Sequence, residues 1–395
     1  MSDAPQEPPS LIHKRMRIAM VAPPWYEIPP VGYGGLEVIT AALVDGLVGR
    51  GHEVTLFGAG NRTGTRARFV STSGQLQYPR LGELMPAVMH TARVNRVIAD
   101  GDFDVVHDHT TDGPMTSAAR PVPTVVTVHG AVNGEYGDYV AALGDSVRLV
   151  AISRAQRLLR PRLNWVATVH NALPPTAIEG GAATPDGPVL WLARFTADKG
   201  PDLAVEACKA ARVPLVLAGK CGGEPERRYL DEEVRPRLDD SIELLVNPDR
   251  PATRRLLHEA RCLIMPIRWS EPFGMVMIEA MAVGTPVVAL RCGAVPELVR
   301  HGVTGWIADC AEELPDLLHR VGEIDAAECT RHVRTNFSAA VMAGRYERVY
   351  VEALGRPAPA VVHRRRLVDR RRLVDRRPTG GPILRRGDRR LPHVR

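Results

Sequence analysis

Two glutamates, Glu271 and Glu279, lie in one segment late in the chain and are the first candidates for chemistry. Pro272 follows the first of them, and a proline just inside a helix start predicts that a helix begins here. Glu279 then falls within an otherwise apolar helical stretch, where a carboxylate is costly to bury unless something hydrogen-bonds it. A ligand hydroxyl would supply that hydrogen bond, whereas one polar edge on a half-exposed helix is the structural alternative.

The sequence around these glutamates resembles the Glu-x7-Glu signature of the retaining glycosyltransferases in glycosyltransferase family 4. The resemblance runs from about residue 16 to about residue 354, and its C-terminal half is highly specific. Besides the signature itself, the motifs that carry it are Glu279-Ala280-Met281-Ala282, Gly284-Thr285-Pro286-Val287-Val288, Pro296-Glu297-Leu298-Val299 and Gly302-Val303-Thr304-Gly305.

This resemblance implies a role for each residue of the signature, carried over by position. In the family the first glutamate contacts hydroxyls of the donor sugar and the second holds the ribose of the nucleotide. These roles fall to Glu271 and Glu279. The donor-binding set also includes four of the seven residues between them, which are Phe273, Gly274, Met275 and Val276.

Two basic residues precede the signature, at the predicted end of a strand and before a helix. Arg194 ends the apolar run Val189–Ala193, and Lys199 stands before Gly200-Pro201, where a helix is expected to start. A guanidinium, an ammonium group and a helix N-terminus at one place favour a diphosphate site, although two solvated surface cations are the alternative. The resemblance assigns both residues to the pyrophosphate, where they would stabilise the leaving nucleoside diphosphate.

The N-terminal half of the chain contributes three further candidates. Gly34 and Gly35 follow the first predicted strand, where glycines let backbone N–H groups approach a phosphate or sugar; a tight turn is the alternative. His129 ends another predicted strand, and the resembled enzymes have a histidine in this context near the reacting sugar. We expect it to hydrogen-bond the sugar or the acceptor, with a packed histidine as the alternative. The catalytic set implied by the resemblance is then His129, Arg194, Lys199 and Glu271.

Two other motifs are typical of metal sites. His107 and His109 share one face of a predicted strand, but no third ligand stands at a suitable spacing. Asp102 and Asp104 look like the Asp-x-Asp motif of a different glycosyltransferase fold, yet they precede their strand and so lie at its amino end, away from the cleft. The resemblance is to a metal-independent family, so it implies no metal and no cofactor, with a nucleoside diphosphate sugar as co-substrate.

Short apolar runs alternate with helical patterns along the chain, which is typical of an α/β protein with parallel sheets. A helix is expected at Glu37–Arg50. The predicted strands are Arg17–Ala22, Val54–Gly58, Asp104–His107, Thr124–His129, Leu149–Ile152, Val166–Val169, Val189–Ala193, Leu215–Ala218, Ile242–Val246, Leu263–Ile267 and Val287–Leu290. The resemblance implies the GT-B architecture, in which two Rossmann-like domains face each other across a cleft and a C-terminal helix returns to the first domain.

This pattern also predicts the domain organisation. The linker is placed in a stretch rich in proline, glycine and alanine that lacks a clear pattern. The expected segments are a disordered N-terminus (1–15), an N-terminal acceptor-side Rossmann-like domain (16–172), the linker (173–188), a C-terminal nucleotide-sugar-binding Rossmann-like domain (189–337), a crossover helix (338–354) and a basic disordered tail (355–395).

Charge separates the tail from the body. The whole chain carries +6, but residues 355–395 hold 14 arginines and 3 aspartates, a net of +11, which leaves −5 for the preceding 354 residues. Such a tail is expected to be disordered; a weak contact with a membrane surface or another anion such as RNA is its functional interpretation, and a dispensable extension or a reading-frame artefact is the alternative. No nucleic-acid partner is expected for the body. No apolar run reaches the roughly 20 residues of a membrane helix, and all six cysteines lie in the C-terminal half without a Cys-x-x-Cys pair, so we expect a cytoplasmic protein.

The resemblance implies a retaining glycosyltransferase that moves a sugar from a nucleoside diphosphate sugar, such as a UDP- or GDP-hexose, to an acceptor hydroxyl. Two alternatives stay open: a nucleotide-sugar epimerase of the same fold, and a non-catalytic nucleotide-sugar-binding protein with a basic interaction tail. Trp269 either shapes the sugar pocket or packs. Leu245-Val246-Asn247 stands where a Leu-Gly pair commonly flanks the base, and this departure leaves the identity of the base open. The acceptor is not identified, because Trp25–Val31 and Gln77–Asp100 carry no diagnostic motif. The stretch Arg62–Arg96 is expected to be a solvated face, with an anionic acceptor or a membrane as the alternative.

Overall fold

The computed structural model describes residues 15–32, 34–181 and 184–355, which all belong to one compact unit. The disorder expected for the N-terminus and for the basic tail falls almost entirely outside these residues. No helix in the part of the chain that the structure describes is long and apolar enough to cross a membrane.

The described residues form thirteen strands and twelve α-helices. The strands are β1 Arg17–Val21, β2 Glu53–Ala59, β3 Arg68–Ser73, β4 Val105–Asp108, β5 Thr124–Val128, β6 Arg148–Ala151, β7 Trp165–Thr168, β8 Val189–Arg194, β9 Leu215–Lys220, β10 Ile242–Val246, β11 Cys262–Met265, β12 Val287–Leu290 and β13 Gly305–Ala308. The helices are α1 Gly35–Gly49, α2 Leu84–Asp100, α3 Gly134–Ala142, α4 Arg154–Leu159, α5 Pro201–Ala211, α6 Glu224–Tyr229, α7 Arg250–Glu259, α8 Met275–Ala282, α9 Val295–Leu298, α10 Leu314–His319, α11 Ala326–Asn336 and α12 Ala339–Gly355.

The strands build two sheets, and the strand pairs in both are parallel. The first has seven strands in the order β3-β2-β1-β4-β5-β6-β7, and the second has six in the order β10-β9-β8-β11-β12-β13. In each sheet the strand order reverses beside the first strand, and ligands of such sheets bind beyond the carboxyl ends near that reversal. The predicted α/β class with two Rossmann-like domains is confirmed.

Two strands were missed by the sequence prediction, and one was extended two residues too far. β3 is an edge strand that pairs with β2, and its sequence is short and rich in serine and threonine. β13 has four residues and follows a glycine-rich turn, so its apolar run is too brief to identify. β11 ends at Met265 rather than at Ile267, because the proline that follows cannot continue the ladder of backbone hydrogen bonds.

Helix α12 returns to the first domain, as predicted. Its tyrosines Tyr346 and Tyr350 are buried in the same core as Ile18 of β1. Glu347, also buried, accepts a hydrogen bond from Arg50 at 2.6 Å and lies 3.0 Å from Nε2 of His52. Burial alone would raise the pKa of Glu347, but these partners outweigh it and lower the pKa, so the pair stays charged at neutral pH.

The two domains also meet through Glu297, the third residue of α9. Its carboxylate accepts hydrogen bonds from the backbone N–H groups of Arg154 and Ala155, at 2.9 and 2.8 Å, and so caps helix α4 of the other domain. His170 Nε2 lies 3.0 Å from the same carboxylate. Burial would raise the pKa of Glu297, yet these hydrogen bonds lower it, so the cap is a carboxylate at neutral pH.

Candidate active site

The first cation of the candidate site stands at the carboxyl end of the six-stranded sheet. Arg194 is the last residue of β8 and is paired in register with Lys220 of β9. Its side chain is 51% exposed, and its Nη1 lies 3.6 Å from Oε1 of Glu226. Glu226 also accepts hydrogen bonds from the backbone of Gly222 and Gly223, which fixes the loop after β9. A guanidinium at this edge is placed where ligands bind in such folds.

Lys199 is held beside the β11–α8 loop by its neighbour Gly200. The φ of Gly200 is 65°, and a Cβ atom there would clash with the carbonyl oxygen of Pro266, so only glycine allows this approach. The indole nitrogen of Trp191 donates a hydrogen bond to the Lys199 carbonyl at 3.0 Å. The ammonium group forms an ion pair with the carboxylate of Glu271, and only 13% and 12% of the two side chains are exposed. The first glutamate of the signature and the predicted phosphate lysine are therefore in contact.

The backbone of Glu271 is packed against the loop that follows β12. A Cβ atom at Gly293, whose φ is 53°, would clash with the backbone nitrogen and oxygen of Glu271. The N–H of Ala294 donates to the Glu271 carbonyl at 2.9 Å. Because two loops meet backbone to backbone here, the direction of the Glu271 side chain is set by rigid neighbours.

Trp269 contacts both members of the ion pair. Its indole nitrogen donates a hydrogen bond to Oε2 of Glu271 at 3.1 Å, and the ammonium nitrogen of Lys199 lies 4.8 Å from the centre of its ring. The second distance is within the range of a cation–π interaction. The sequence allowed two roles for Trp269, shaping the sugar pocket or packing in the core. The structure places it against the ion pair of Lys199 and Glu271.

Arg268 links the loop that carries Lys199 to the loop that carries Glu271, a role that the sequence prediction missed. Its guanidinium makes a bidentate contact with Asp202, at 2.7 and 2.5 Å, and its backbone N–H donates to the Asp198 carbonyl at 2.9 Å. Burial would raise the pKa of Asp202, but the hydrogen bonds from Arg268 and Tyr229 outweigh it and lower the pKa. Asp202 is in the first turn of α5, where an acidic residue has an ordinary explanation, so no sequence signal pointed to its partner.

Glu279 lies on α8, one turn after Met275 and on the same face. Met275 packs against the cores of both domains, so this face of the helix is directed toward the first domain. Within residues 15–32, 34–181 and 184–355, the half-buried carboxylate of Glu279 makes no hydrogen bond or ion pair. Burial raises its pKa, and the charge of Arg250 opposes that shift. Such a carboxylate is well suited to accept hydrogen bonds from a ligand.

The loop that contains Gly34 and Gly35 contacts the second domain through Arg250. The carbonyl of Pro30, in the β1–α1 loop, accepts a hydrogen bond from Arg250 at 3.4 Å. A Cβ atom at Gly34, whose φ is 153°, would meet the Glu37 carboxylate and the Pro30 ring. At Gly35, by contrast, a Cβ atom would meet open space. Gly35 is the first residue of α1, and it has no side chain that would cover the first backbone N–H groups of this helix.

His129 lies at the carboxyl end of β5, in a row of three histidines. Its Nε2 is 2.8 Å from Nδ1 of His109, whose ring centre is 4.1 Å from that of His107. Burial lowers the pKa of His129 to about 4 and that of His107 to about 3. At neutral pH these rings are therefore uncharged, which suits His129 to hydrogen bonding with a hydroxyl rather than to binding an anion.

The structure gives both metal-like motifs other partners. The two nitrogens of His107 lie 2.7 Å from the hydroxyls of Tyr350 and Thr127, which leaves neither for a metal. Asp104 accepts hydrogen bonds from the backbone and side chain of Arg17 at the amino end of β1, as its position predicted. No group of three or more possible ligands that could hold a metal ion occurs among the described residues.

The residues between the two glutamates have different surroundings. Phe273 is buried, and its ring packs against His170 and Phe337 at 5.9 and 6.1 Å between centres. Gly274, with a φ of 91°, is the N-cap of α8, and Val276 packs on the core of the second domain. A donor contact from Phe273 would therefore come from its backbone, at the start of the helix.

Asn247 follows β10 and keeps the turn that a glycine would make. Its φ is 55°, a conformation that asparagine tolerates better than most residues. Its side-chain oxygen accepts from the N–H of Cys221 at 2.8 Å, and its amide donates to the Cys221 carbonyl at 3.1 Å. The departure thus adds a side-chain clamp between the loops after β9 and β10.

Family comparisons agree with this geometry. Residues 33–173 match the family described as Glycosyltransferase Family 4, and residues 180–328 match the family described as Glycosyl transferases group 1. The two matches follow one another and contain most of the two sheets. The chain belongs to glycosyltransferase family 4.

Relatives of this family 4 glycosyltransferase have diverse roles. The phosphatidyl-myo-inositol mannosyltransferase of Mycobacterium leprae is 26% identical over 375 residues, which cover 85% of this chain and 96% of the relative. The crystal structure of AviGT4, a glycosyltransferase involved in avilamycin A biosynthesis, has a TM-score of 0.65 at 24% identity and covers 86% of this chain and 98% of its own. Anabaena HepE, solved in complex with UDP and glucose, has a TM-score of 0.64 at 16% identity and covers 85% and 100%. The predicted GT-B fold is confirmed.

Proposed function

We propose that this glycosyltransferase uses a nucleoside diphosphate sugar as donor and transfers the sugar to an acceptor hydroxyl with retention of anomeric configuration. The observation that carries the proposal is the contact between Lys199 and Glu271, which joins a cation suited to a diphosphate to a carboxylate suited to sugar hydroxyls. HepE, a structural neighbour, binds UDP and glucose, which supports a donor of this class.

The diphosphate is proposed to lie at the carboxyl ends of β8 and β9. Arg194 presents a half-exposed guanidinium there, and Lys199 supplies an ammonium group close by. The N-terminus of α8 adds backbone N–H groups that favour an anion. As the bond between sugar and phosphate breaks, negative charge grows on the departing diphosphate, and preorganised cations stabilise that charge.

The two glutamates are proposed to divide the rest of the donor between them. Glu271 already accepts hydrogen bonds from Lys199 and Trp269, which suits it to orient sugar hydroxyls rather than to attack the anomeric carbon. Glu279, without a hydrogen-bond partner among the described residues, is proposed to accept both ribose hydroxyls. Neutral His129 would hydrogen-bond the sugar or the acceptor from the opposite domain. The acceptor proton is expected to pass to the departing phosphate, with no covalent protein intermediate.

A donor screen followed by a turnover assay tests this function. UDP-, GDP- and ADP-hexoses are compared by thermal shift, since a ligand at 100 times its dissociation constant adds about 2.7 kcal/mol of stability. The best donor is then incubated with acceptor hydroxyls, and the anomeric configuration of the product is read by NMR. Release of nucleoside diphosphate that depends on acceptor, with retention, supports the proposal. Release or epimerisation without acceptor would indicate the epimerase instead, and an inverted product would contradict retention.

A further inference from the structure

The outer face of helix α2 is apolar where a helix of this kind is normally polar. The inner face packs on the sheet through Val94 and Ile98, which share a core with β1. The opposite face of a surface helix usually carries charged residues. Here the first two turns expose four large apolar side chains, which are Leu84, Met85, Val88 and Met89, with Leu84 72% exposed.

This apolar face continues into the segment before the helix. Tyr78 and Leu81 are also exposed, at 53% and 58%. The ring of Tyr78 stacks on that of Tyr26, with 5.7 Å between centres, and its N–H donates to the Trp25 carbonyl at 2.9 Å. The segment is therefore held in place against the β1–α1 loop. The α2 surface is defined as the exposed side chains of Tyr78, Leu81, Leu84, Met85, Val88 and Met89.

The sequence segment that contains the α2 surface is basic, although the body as a whole is acidic. Residues 62–96 contain six arginines and one acidic residue, Glu83, a net of +5. The remainder of residues 1–354 then carries −10, because these 354 residues carry −5 in total. Arg93 and Arg96 lie on the exposed face of α2 itself, one or two turns after the apolar side chains. Apolar residues combined with arginines on one helix face are typical of segments that lie in the interface of a membrane.

We propose that the α2 surface docks on the surface of a bilayer that contains anionic phospholipids. The apolar side chains would enter the boundary between headgroups and acyl chains, and the arginines would contact lipid phosphates. The helix lies on the membrane, since no helix of the described residues could cross one. A second copy of the chain is a poorer occupant, because it would bring Arg93 and Arg96 of both copies to one interface. This docking does not depend on the proposed reaction.

The position of the α2 surface adds a functional consequence. Its segment is bonded to residues 24–25, which directly follow β1 at the carboxyl edge of the seven-stranded sheet. His129 ends another strand at that same edge. Docking would therefore bring the acceptor side of the cleft close to the lipid headgroups, within reach of an acceptor anchored there.

Vesicle flotation of the full-length protein tests the docking. Vesicles of phosphatidylcholine alone are compared with vesicles of phosphatidylcholine and phosphatidylglycerol at about 7:3. The double variant Leu84→Ser/Met85→Ser is compared with Leu158→Ser, which removes a side chain of similar exposure, 74%, from α4 outside the α2 surface. We expect the wild type and Leu158→Ser to bind the anionic vesicles alike, and the double variant to bind about tenfold or more weakly.

Two single arginine variants test, in the same assay, whether positive charge contributes to vesicle binding. Arg96→Gln is expected to weaken binding to the anionic vesicles about fivefold, whereas Arg334→Gln, an exposed arginine on α11, should not change it. The basic tail is present in every variant, so it cannot produce these differences. Equal binding by the double variant and Leu158→Ser would overturn the proposal, as would equal binding to both kinds of vesicle. The proposal would also be overturned if the wild type did not bind vesicles but formed a concentration-dependent dimer that the double variant could not form.

Discussion

The carboxyl edges of the two sheets have the same backbone arrangement but different chemistry. The edge of the six-stranded sheet carries charged groups, with Lys199 paired to Glu271 and Glu279 half-buried nearby. The edge of the seven-stranded sheet carries His109 and His129, both uncharged at neutral pH because burial lowers their pKa values. Asp108, which precedes His109, is buried, and its charge is paired with Arg120 at 2.9 Å.

We interpret this difference as one topology adapted to two ligands, the nucleotide-sugar donor and the acceptor. The charged edge matches a nucleoside diphosphate, whose phosphates need fixed cations. The uncharged edge suits hydroxyls of the sugar or the acceptor, which can form hydrogen bonds with a neutral histidine. The fold places both edges correctly, but only the residue types decide which edge binds which part.

The largest expected effect comes from removing a cation from the charged edge. Lys199→Ala or Arg194→Ala should lower turnover by roughly 10²–10³, which is the scale of losing one preorganised electrostatic donor. Lys209→Ala is the control, because Lys209 pairs with Asp239 on the outside of α5. Steady-state kinetics with the preferred donor measures the effect, with unfolding temperature as the check on folding. Activity of either variant close to that of Lys209→Ala would remove the diphosphate from this edge.

A smaller effect is expected from Trp269, which positions the ion pair without a proposed contact to the diphosphate. Trp269→Phe keeps an aromatic ring under the ammonium but loses the N–H that bonds Glu271, so turnover should fall about tenfold, in line with one charge-assisted hydrogen bond. Trp269→Leu loses both contacts and should fall further. Binding of free nucleoside diphosphate should change little in either variant. Equal turnover by the Trp269→Phe variant and the wild-type enzyme would show that the indole N–H does not orient Glu271.

The motifs were predictable because each is local in sequence, whereas the contacts between them are not. The Glu271 signature and the Arg194 and Lys199 pair could be recognised in the sequence through their resemblance to family motifs, yet nothing in the sequence shows that Lys199 touches Glu271. The partner of Arg268, Asp202, stands 66 residues away, in the first turn of α5. The short strands β3 and β13 lacked the apolar run that identified the other strands.

The α2 surface shows the same limit in another form. Its segment was expected to be a solvated face, because arginines recur along it. Apolar residues at Leu84 and Met85 would ordinarily be assigned to a core. Only the packing of Val94 and Ile98 on the sheet shows which side of the helix is covered and which side is open.

The uncharged edge should make the protein sensitive to acid. Burial lowers the pKa of His90 to about 4, as it does for His129, and lowers that of His107 to about 3. Between about pH 6.5 and about 4 the unfolded chain therefore binds protons that the folded chain does not, so stability falls as pH falls through this range. Each such histidine steepens the loss by up to about 1.4 kcal/mol per pH unit.

The variant His90→Leu tests one of these histidines alone, and its effect is the smallest of those predicted here. Its unfolding free energy, measured with urea at several pH values, should fall less steeply than that of the wild type between about pH 6 and about 4. His319→Leu, which removes an exposed histidine at the end of α10, is the matched control. Parallel curves for His90→Leu and the wild type would mean that His90 is not held neutral by burial.

The central claim is that the charged edge holds the nucleotide and the sugar through different glutamates. Calorimetric titration of Glu271→Gln and Glu279→Gln, each with the donor and with its free nucleoside diphosphate, tests it most directly. Glu259→Gln, at the exposed end of α7, is the control.

Glu271→Gln should weaken donor binding about tenfold to a hundredfold, on the scale of charge-assisted hydrogen bonds of about 1.5–3 kcal/mol. It should not weaken the diphosphate, because Lys199 keeps its charge and loses only a competing carboxylate. Glu279→Gln should weaken both ligands to a similar extent, since both carry the ribose. Equal losses of donor and diphosphate in Glu271→Gln, or no loss of either in Glu279→Gln, would contradict the account.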